Sequence, residues 1–350
     1  MSQETMQWLN NNVLIGFTDK RGTAWHYRAS DQGAEPNHYA DAVPVGDVLR
    51  RLFHWHAVEA RTFYEFPNGN LDVFTADGSF KIQRSERKTI IRSDTGAELG
   101  SFKEGYQPHQ YDEWLIHNVS TLLDTSKDDL GVGSAGLLKG GGVAWVEVTM
   151  PDTITTPEGV AFRPNLLAAT SFNGSLATTY KRTVQATVCD NTLSVALSER
   201  GQTVKIRHSR NSLTKIADVR EALAIVHGIA DDFTAQVAEL CSVKITEAQF
   251  EQMIDKIAPM PKPGEAKTTR ALTLAEGKRD ELFRLWSKDE RVAPWRGTAF
   301  GAWQTLNTFG HHSMNVRGMS RPERNMLNAV TGKTEQADTE ALDLIMSLAA

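Results

Sequence analysis

After Pro44 the apolar residues return every three or four positions, at Val45, Val48, Leu49, Leu52 and Phe53, which predicts a short helix with one buried face. The period then falls to two. TFYEF before PNGN, then LDVFTADG, SFKIQ and KTIIRS, alternate and break at Gly, Asn and Asp, as hairpin strands do. IIRSDTGAELGSF reads as a strand, a turn at Asp94-Thr95-Gly96 and a return strand. Pro108 to Asp124 predicts a helix with Tyr111, Trp114, Leu115, Val119, Leu122 and Leu123 on one side. LLKGGGVAWVEVTM predicts a hairpin around three glycines, and strands continue through LLAATSF, LATTYKRTVQATV, NTLSVAL and TVKIRHS.

From Asn211 the helical period takes over. Leu213, Ile216, Val219, Leu223, Val226, Ile229, Phe233, Val237 and Leu240 form one stripe, predicting an amphipathic helix over 211–242, about 45 Å long at about 1.5 Å per residue. ITEAQFEQMIDKI predicts a second helix, with Thr246 as its cap and Gln249 at the capping-box position. MPKPGEAK reads as a linker, and the remainder is helical and polar. The expected fold class is α+β. An irregular segment (1–40) precedes a mainly antiparallel β-rich body with an inserted helix (41–210), and a helical region (211–350) follows.

Charge changes this picture in one place. The chain is −5 overall, yet Val160 to Lys215 holds Arg163, Lys181, Arg182, Arg200, Lys205, Arg207, Arg210 and Lys215 against Asp190 and Glu199, a local +6. Basic residues on a sheet with interleaved aromatics suit a polyanion carrying flat bases. In that reading Lys181, Arg182, Lys205, Arg207 and Arg210 neutralise phosphates, Tyr180 or Phe172 offers a stacking face, and Lys139 at the glycine tip clamps the backbone. Lys205 and Arg207 are two apart and share a strand face, as do Tyr180 and Arg182. The same charges also suit a solvated sheet face or a lysine-protected edge.

Other chemistry is not called for. The run Lys139-Gly140-Gly141-Gly142 lacks the order of a phosphate loop and leads into a strand rather than a helix. His54 and His56, and His311 and His312, stand without acidic partners at a metal-binding spacing, so neither metal nor cofactor is expected. Cys189 reads as a buried structural thiol, and no nucleophile-elbow, zincin or dinucleotide signature occurs, so no catalytic residue is assigned. Apolar content of 40% with 23% charged residues is that of a globular protein. No apolar run reaches the length of a membrane span. The start, MSQETMQWLNNN, does not read as a signal peptide, and with Cys189 and Cys241 the only cysteines a reducing cytoplasm is expected.

Several segments together resemble a known family. They are VLRRLFHWHAVEA, IIRSDTGAELGSFKEGYQPHQYDEWL, SAGLLKGGGVAWVEVTMP, LAATSFNGSLATTYKRTVQATVCDNTLSVAL, KIRHS and GTAFGAWQTLNTFGHH. In the same order they resemble the phage/plasmid-like proteins of domain of unknown function 932, from about residue 20 to about 312. Trp25 and His26 fall on the early motif, Cys189, Asn191 and Thr192 on the central one with Asp190 where an asparagine is usual, and Ile206, Arg207 and His208 on the basic strand. The resemblance implies a phage, plasmid or prophage-like origin but brings no established activity. At the level of plan, strands, helix and glycine-tipped hairpin are also similar to phage single-strand annealing proteins.

The expected function is therefore non-enzymatic binding or annealing of single-stranded DNA in recombination or replication, by a homo-oligomer whose 211–242 helix overhangs its own body. The alternatives are an inhibitor or decoy that binds a host protein and a metal-dependent nuclease or nucleotide hydrolase.

Overall fold

A computed structural model describes residues 8, 10–21, 30, 32, 35–65, 81–119, 131–150, 152–186, 191–193, 203–209, 229–261, 269–319 and 321–349. Trp25, His26, Leu122, Leu123, Cys189, Asp190, Glu199, Arg200, Arg210, Lys215, the strand LDVFTADG, residues 211–228 and most of MPKPGEAK lie outside them.

In chain order the strands are β1 (Val13–Ile15), β2 (Ala57–Glu65), β3 (Lys81–Arg92), β4 (Glu98–Lys103), β5 (Gly131–Leu138) and β6 (Val143–Thr149). Then come β7 (Ile154–Thr155), β8 (Ala161–Ser171), β9 (Thr178–Ala186), β10 (Asn191–Leu193) and β11 (Thr203–Ile206). They form two antiparallel sheets. The larger runs β1-β5-β6-β8-β9-β10, with β7 added to β8 and β11 to β9, and the smaller is β2-β3-β4. The helices include α1 (Val45–Arg51), α2 (Ile229–Ser242), α3 (Glu247–Ile257), α4 (Thr269–Lys288), α5 (Ala299–Thr308), α6 (Arg321–Thr331) and α7 (Lys333–Ala349). The fold is thus α+β, with a mainly antiparallel sheet body and helices toward the C-terminus.

Local patterns placed many of these elements. Helix α1 starts directly after Pro44, and Thr246 caps α3 by accepting from Gln249 N while the Gln249 side chain accepts from Thr246 N. The turn at Asp94–Gly96 closes β3 onto β4, with Gly96 at φ 70°. Two elements differ from expectation. The short strands predicted around residues 62–66 and 79–93 are one long hairpin, β2 paired with β3 from Ala57↔Arg92 to Glu65↔Lys81, bulged between Arg61 and Phe63. The helix after Pro108 winds as a π-helix over Asp112–His117.

The larger sheet is covered on both faces. One carries Leu14, Ala135, Val146, Leu166, Tyr180 and Ile206 against Trp114 and Leu115 of the π-helix and against α2. The other carries Ile15, Trp145, Leu167 and Ala169 against Ala329 and Val330 of α6. Strands β5 and β6 are accordingly buried along their whole length rather than at alternate positions. Phe233, Val237 and Leu240 of α2 are fully buried, with Phe233 4.6 Å from Phe162 between ring centroids. Over 229–242 the stripe therefore serves this chain's own core.

The covered face sets a tight cross-strand fit. Gly136 lies opposite Trp145 in the β5–β6 ladder, and a Cβ on Gly136 would fall inside the indole, which is 1% exposed. Gly136→Ala is expected to cost about 2 kcal/mol by overpacking, read as a lower urea midpoint at unchanged slope. An unchanged midpoint would refute this packing.

Candidate nucleic-acid interface

Strand β9 carries three of the residues that the sequence nominates, and the fold turns all three inward. Tyr180 is 2% exposed, and its hydroxyl donates to Trp114 O and accepts from Asn118 Nδ2 at 3.1 Å. Burial pushes its phenol well above the usual tyrosine range, and no ring face is left for a base. Arg182, on the same face, pairs with Asp232 of α2, its side chain only 8% exposed. Lys181 points the other way and donates to Ala329 O in the last turn of α6, where a cation complements the helix dipole. Burial lowers its pKa, opposed by the charge of Glu335. Phe172 is also interior, 1% exposed and stacked on Tyr111 at 4.0 Å. For the three β9 residues the physical reason is shared. Strand β9 lies inside the sheet, between β8 and the pair β10 and β11, with both faces covered, so alternation offers it no solvent side.

Lys139, Lys205 and Arg207 are exposed. Lys139 opens the 3-10 turn Lys139–Gly141 between β5 and β6, at φ 49°, with Gly140 and Gly141 at φ 67° and 95°. Register puts these residues at one end of the sheet. Val143 at the base of that turn pairs with Ser171, the last residue of β8, and Ile206 at the exit of β11 pairs with Thr178, the first of β9. The backbone joins them further, Phe172 N donating to Gly142 O at 2.9 Å.

The smaller sheet is fastened to the same end. Arg92 lies 4.0 Å over the Trp55 ring, donates to Gly140 O at 3.0 Å and pairs with Asp94 at 2.7 Å. Tyr111 donates from its hydroxyl to Gly141 O at 2.7 Å. Gly100 of β4 and Gly174 of the β8–β9 loop both abut Phe102, so the end of β4 meets that loop, and Lys103, next along the strand, is exposed. Lys103 escaped the sequence reading because its distance along the chain from the basic stretch hides the contact.

A stack of five rings adjoins Lys103 and Arg207, which neighbour its members Phe102 and His208 in sequence, whereas Lys205 lines a cleft with Lys181, Thr331 and Glu335 on the α6 side. Phe102 and Tyr106 are 3.8 Å apart between centroids, Tyr106 and His208 5.1 Å, His208 and His109 4.1 Å, and His109 and Trp114 3.7 Å, all within 15° of parallel. Trp114 and His109 are buried, whereas Phe102, Tyr106 and His208 are partly exposed. Thr178 Oγ1 sits 2.6 Å from His109 Nδ1 and 2.7 Å from Thr170 Oγ1, which is 3.1 Å from His208 Nε2. Burial lowers the His109 pKa to about 3, helped by His208, and that of His208 to about 4, opposed by the Gln107 backbone. Both rings are neutral at pH 7. The aromatic density of YQPHQYDEW was the available signal for this stack.

His54 and His56 stand near single carboxylates, Asp94 at 3.7 Å and Asp112 at 3.3 Å. Among the described residues no three His, Cys, Asp or Glu side chains converge as metal ligands would. Burial pushes the Cys241 thiol up to about 11, which suits an inert cysteine. No helix among the described residues is long and apolar enough to cross a membrane.

The model of the family Domain of unknown function (DUF932) matches residues 98–331, from the start of β4 to the end of α6, about two thirds of the 350 residues. The chain belongs to this family. The matched span holds the ring stack, the glycine turn and the exits of β8 and β11, whereas Trp55 and the β2–β3 hairpin precede it. No curated protein and no solved structure matches the chain.

Proposed function

We propose that this protein binds single-stranded nucleic acid, without catalysing a reaction on it, across the end of the larger sheet. One observation carries the reading: Lys103, Lys139, Lys205 and Arg207 are exposed toward that end of the sheet, where a ring stack has three partly exposed members, Phe102, Tyr106 and His208. Phosphates take the four cations, and unstacked bases lie against Phe102, Tyr106 or His208. Neutral histidines stack on bases as flat rings at pH 7, so contact there is not specific to sequence. Residues Tyr180, Lys181 and Arg182 act behind this surface as its support. The same proposal includes a place in recombination or replication of phage or plasmid DNA, which the resemblance to phage/plasmid-like proteins supports.

The test is fluorescence anisotropy of a labelled homopyrimidine oligonucleotide over a salt series. Four phosphate contacts predict log K falling against log salt with a slope of about −3, at about −0.7 per phosphate. Retention against heparin at low salt separates stacking from charge alone. A slope near zero, or no binding at about 50 mM salt, removes the proposal.

A further inference from the structure

A cavity of about 460 Å³ lies among the C-terminal helices, bounded by α4, the end of α5, α6 and α7. That is the size of a small-molecule site. Its origin is local. Helix α5 passes into a π-helical turn, Phe309–Ser313, whose wider winding leaves carbonyls to be met from outside the helix. Arg324 donates to Gly310 O, and Asn325 donates through Nδ2 to His311 O at 3.2 Å. Helix α6 is thereby held off α5, and the space between opens onto Ile257, Leu306, Phe309 and Leu344.

Three polar groups on this wall remain underused. Lys278 donates to Ile257 O at 2.8 Å and lies 5.8 Å from the Phe309 ring centroid. Arg324 has Gly310 O and Asn325 Oδ1 as acceptors. Neither cation is ion-paired among the described residues, and burial lowers the pKa of each, so each gains from a bound negative charge. Asn307 is 6% exposed and donates through Nδ2 to Asp338 Oδ1 at 3.2 Å, which leaves its own Oδ1 buried without a partner. A buried acceptor in that state is costly unless a ligand N–H reaches it.

The geometry points to a site for a small organic anion with a flat, amine-bearing body, of the nucleoside monophosphate class. Its phosphate lies on Lys278 and Arg324, its base lies along Phe309 and Leu306, and a base N–H reaches Asn307 Oδ1. Lys333, Asp338 and Glu340 also line the cavity. The site shares no residue with the surface proposed for single strands, so either reading can fail alone.

Isothermal titration of the full chain with each of the four common nucleoside monophosphates tests it, with inorganic phosphate and the free nucleosides as separate arms. The expected result is saturable binding of at least one monophosphate, at least tenfold tighter than either of its parts. Lys278→Gln and Asn307→Ala should each weaken it at least fivefold, while Lys205→Glu with Arg207→Glu leaves it unchanged. Thermal melts of the same variants check that they fold. Wild-type protein that fails to saturate at millimolar monophosphate overturns the site whatever the variants do. Phosphate binding as tightly as the nucleotide overturns the assignment of a base pocket.

Discussion

Lys205→Glu combined with Arg207→Glu will weaken binding of a single-stranded oligonucleotide well over tenfold at about 50 mM salt. Both residues are exposed at the exit of β11, Lys205 paired in register with Thr179 and Arg207 following the last ladder pair. The double change turns two phosphate contacts into two repulsions, so the loss exceeds the removal of two contacts, and the salt slope should flatten with it. The fold should tolerate it, since neither side chain is buried and Ile206 between them still fills the core at 1% exposure. Lys181→Met is the informative contrast. Its ammonium is spent on Ala329 O, so this change should alter stability but leave affinity for the strand as it was. Equal affinity of a folded double mutant and the wild type would remove the basic surface from the molecule.

What could be read in advance follows the range of the interaction. The β5–β6 hairpin, the Asp94–Gly96 turn, α1 and the Thr246 capping box depend on neighbours a few residues away, and their sequence patterns locate them. The fate of Tyr180, Lys181 and Arg182 depends on what lies across β9, and alternation looks the same whether the polar face meets water or helix α6. Among its described residues the +6 stretch therefore mixes two populations: interior cations, with Arg163 donating to Lys20 O, Lys181 to Ala329 O and Arg182 paired with Asp232, and the exposed Lys205 and Arg207. Lys103, Tyr106 and His109 reach the same end from a segment outside that stretch, through the contact of β4 with the β8–β9 loop. Neither π-helical turn has a periodicity of its own, and both lie within apparently ordinary helical stretches.

Acid will destabilise the protein well before its carboxylates titrate. In the folded state the pKa of His109 is held near 3 and that of His208 near 4, against about 6.5 in an unfolded chain, chiefly because the rings are desolvated in the stack. Above pH 6.5 both states carry neutral rings and the histidines give no pH dependence. As pH falls below that point the unfolded chain takes up two protons that the folded one refuses, so stability falls with pH, by about 1.4 kcal/mol per unit and per ring. Between pH 7 and pH 5 the loss is about 3–4 kcal/mol, His208 giving the smaller share because it is partly exposed. That is a large part of the 5–15 kcal/mol usual for a folded protein. Urea unfolding at a series of pH values measures it directly. His109→Phe retains a flat ring against Trp114 but removes one titrating group, and should roughly halve the slope between pH 6 and pH 5 even if it lowers stability at pH 7 through loss of the Thr178 contact. Stability that stays level from pH 7 to pH 5 would show these rings open to water, and would remove the buried half of the stack on which the proposed base-binding surface is built.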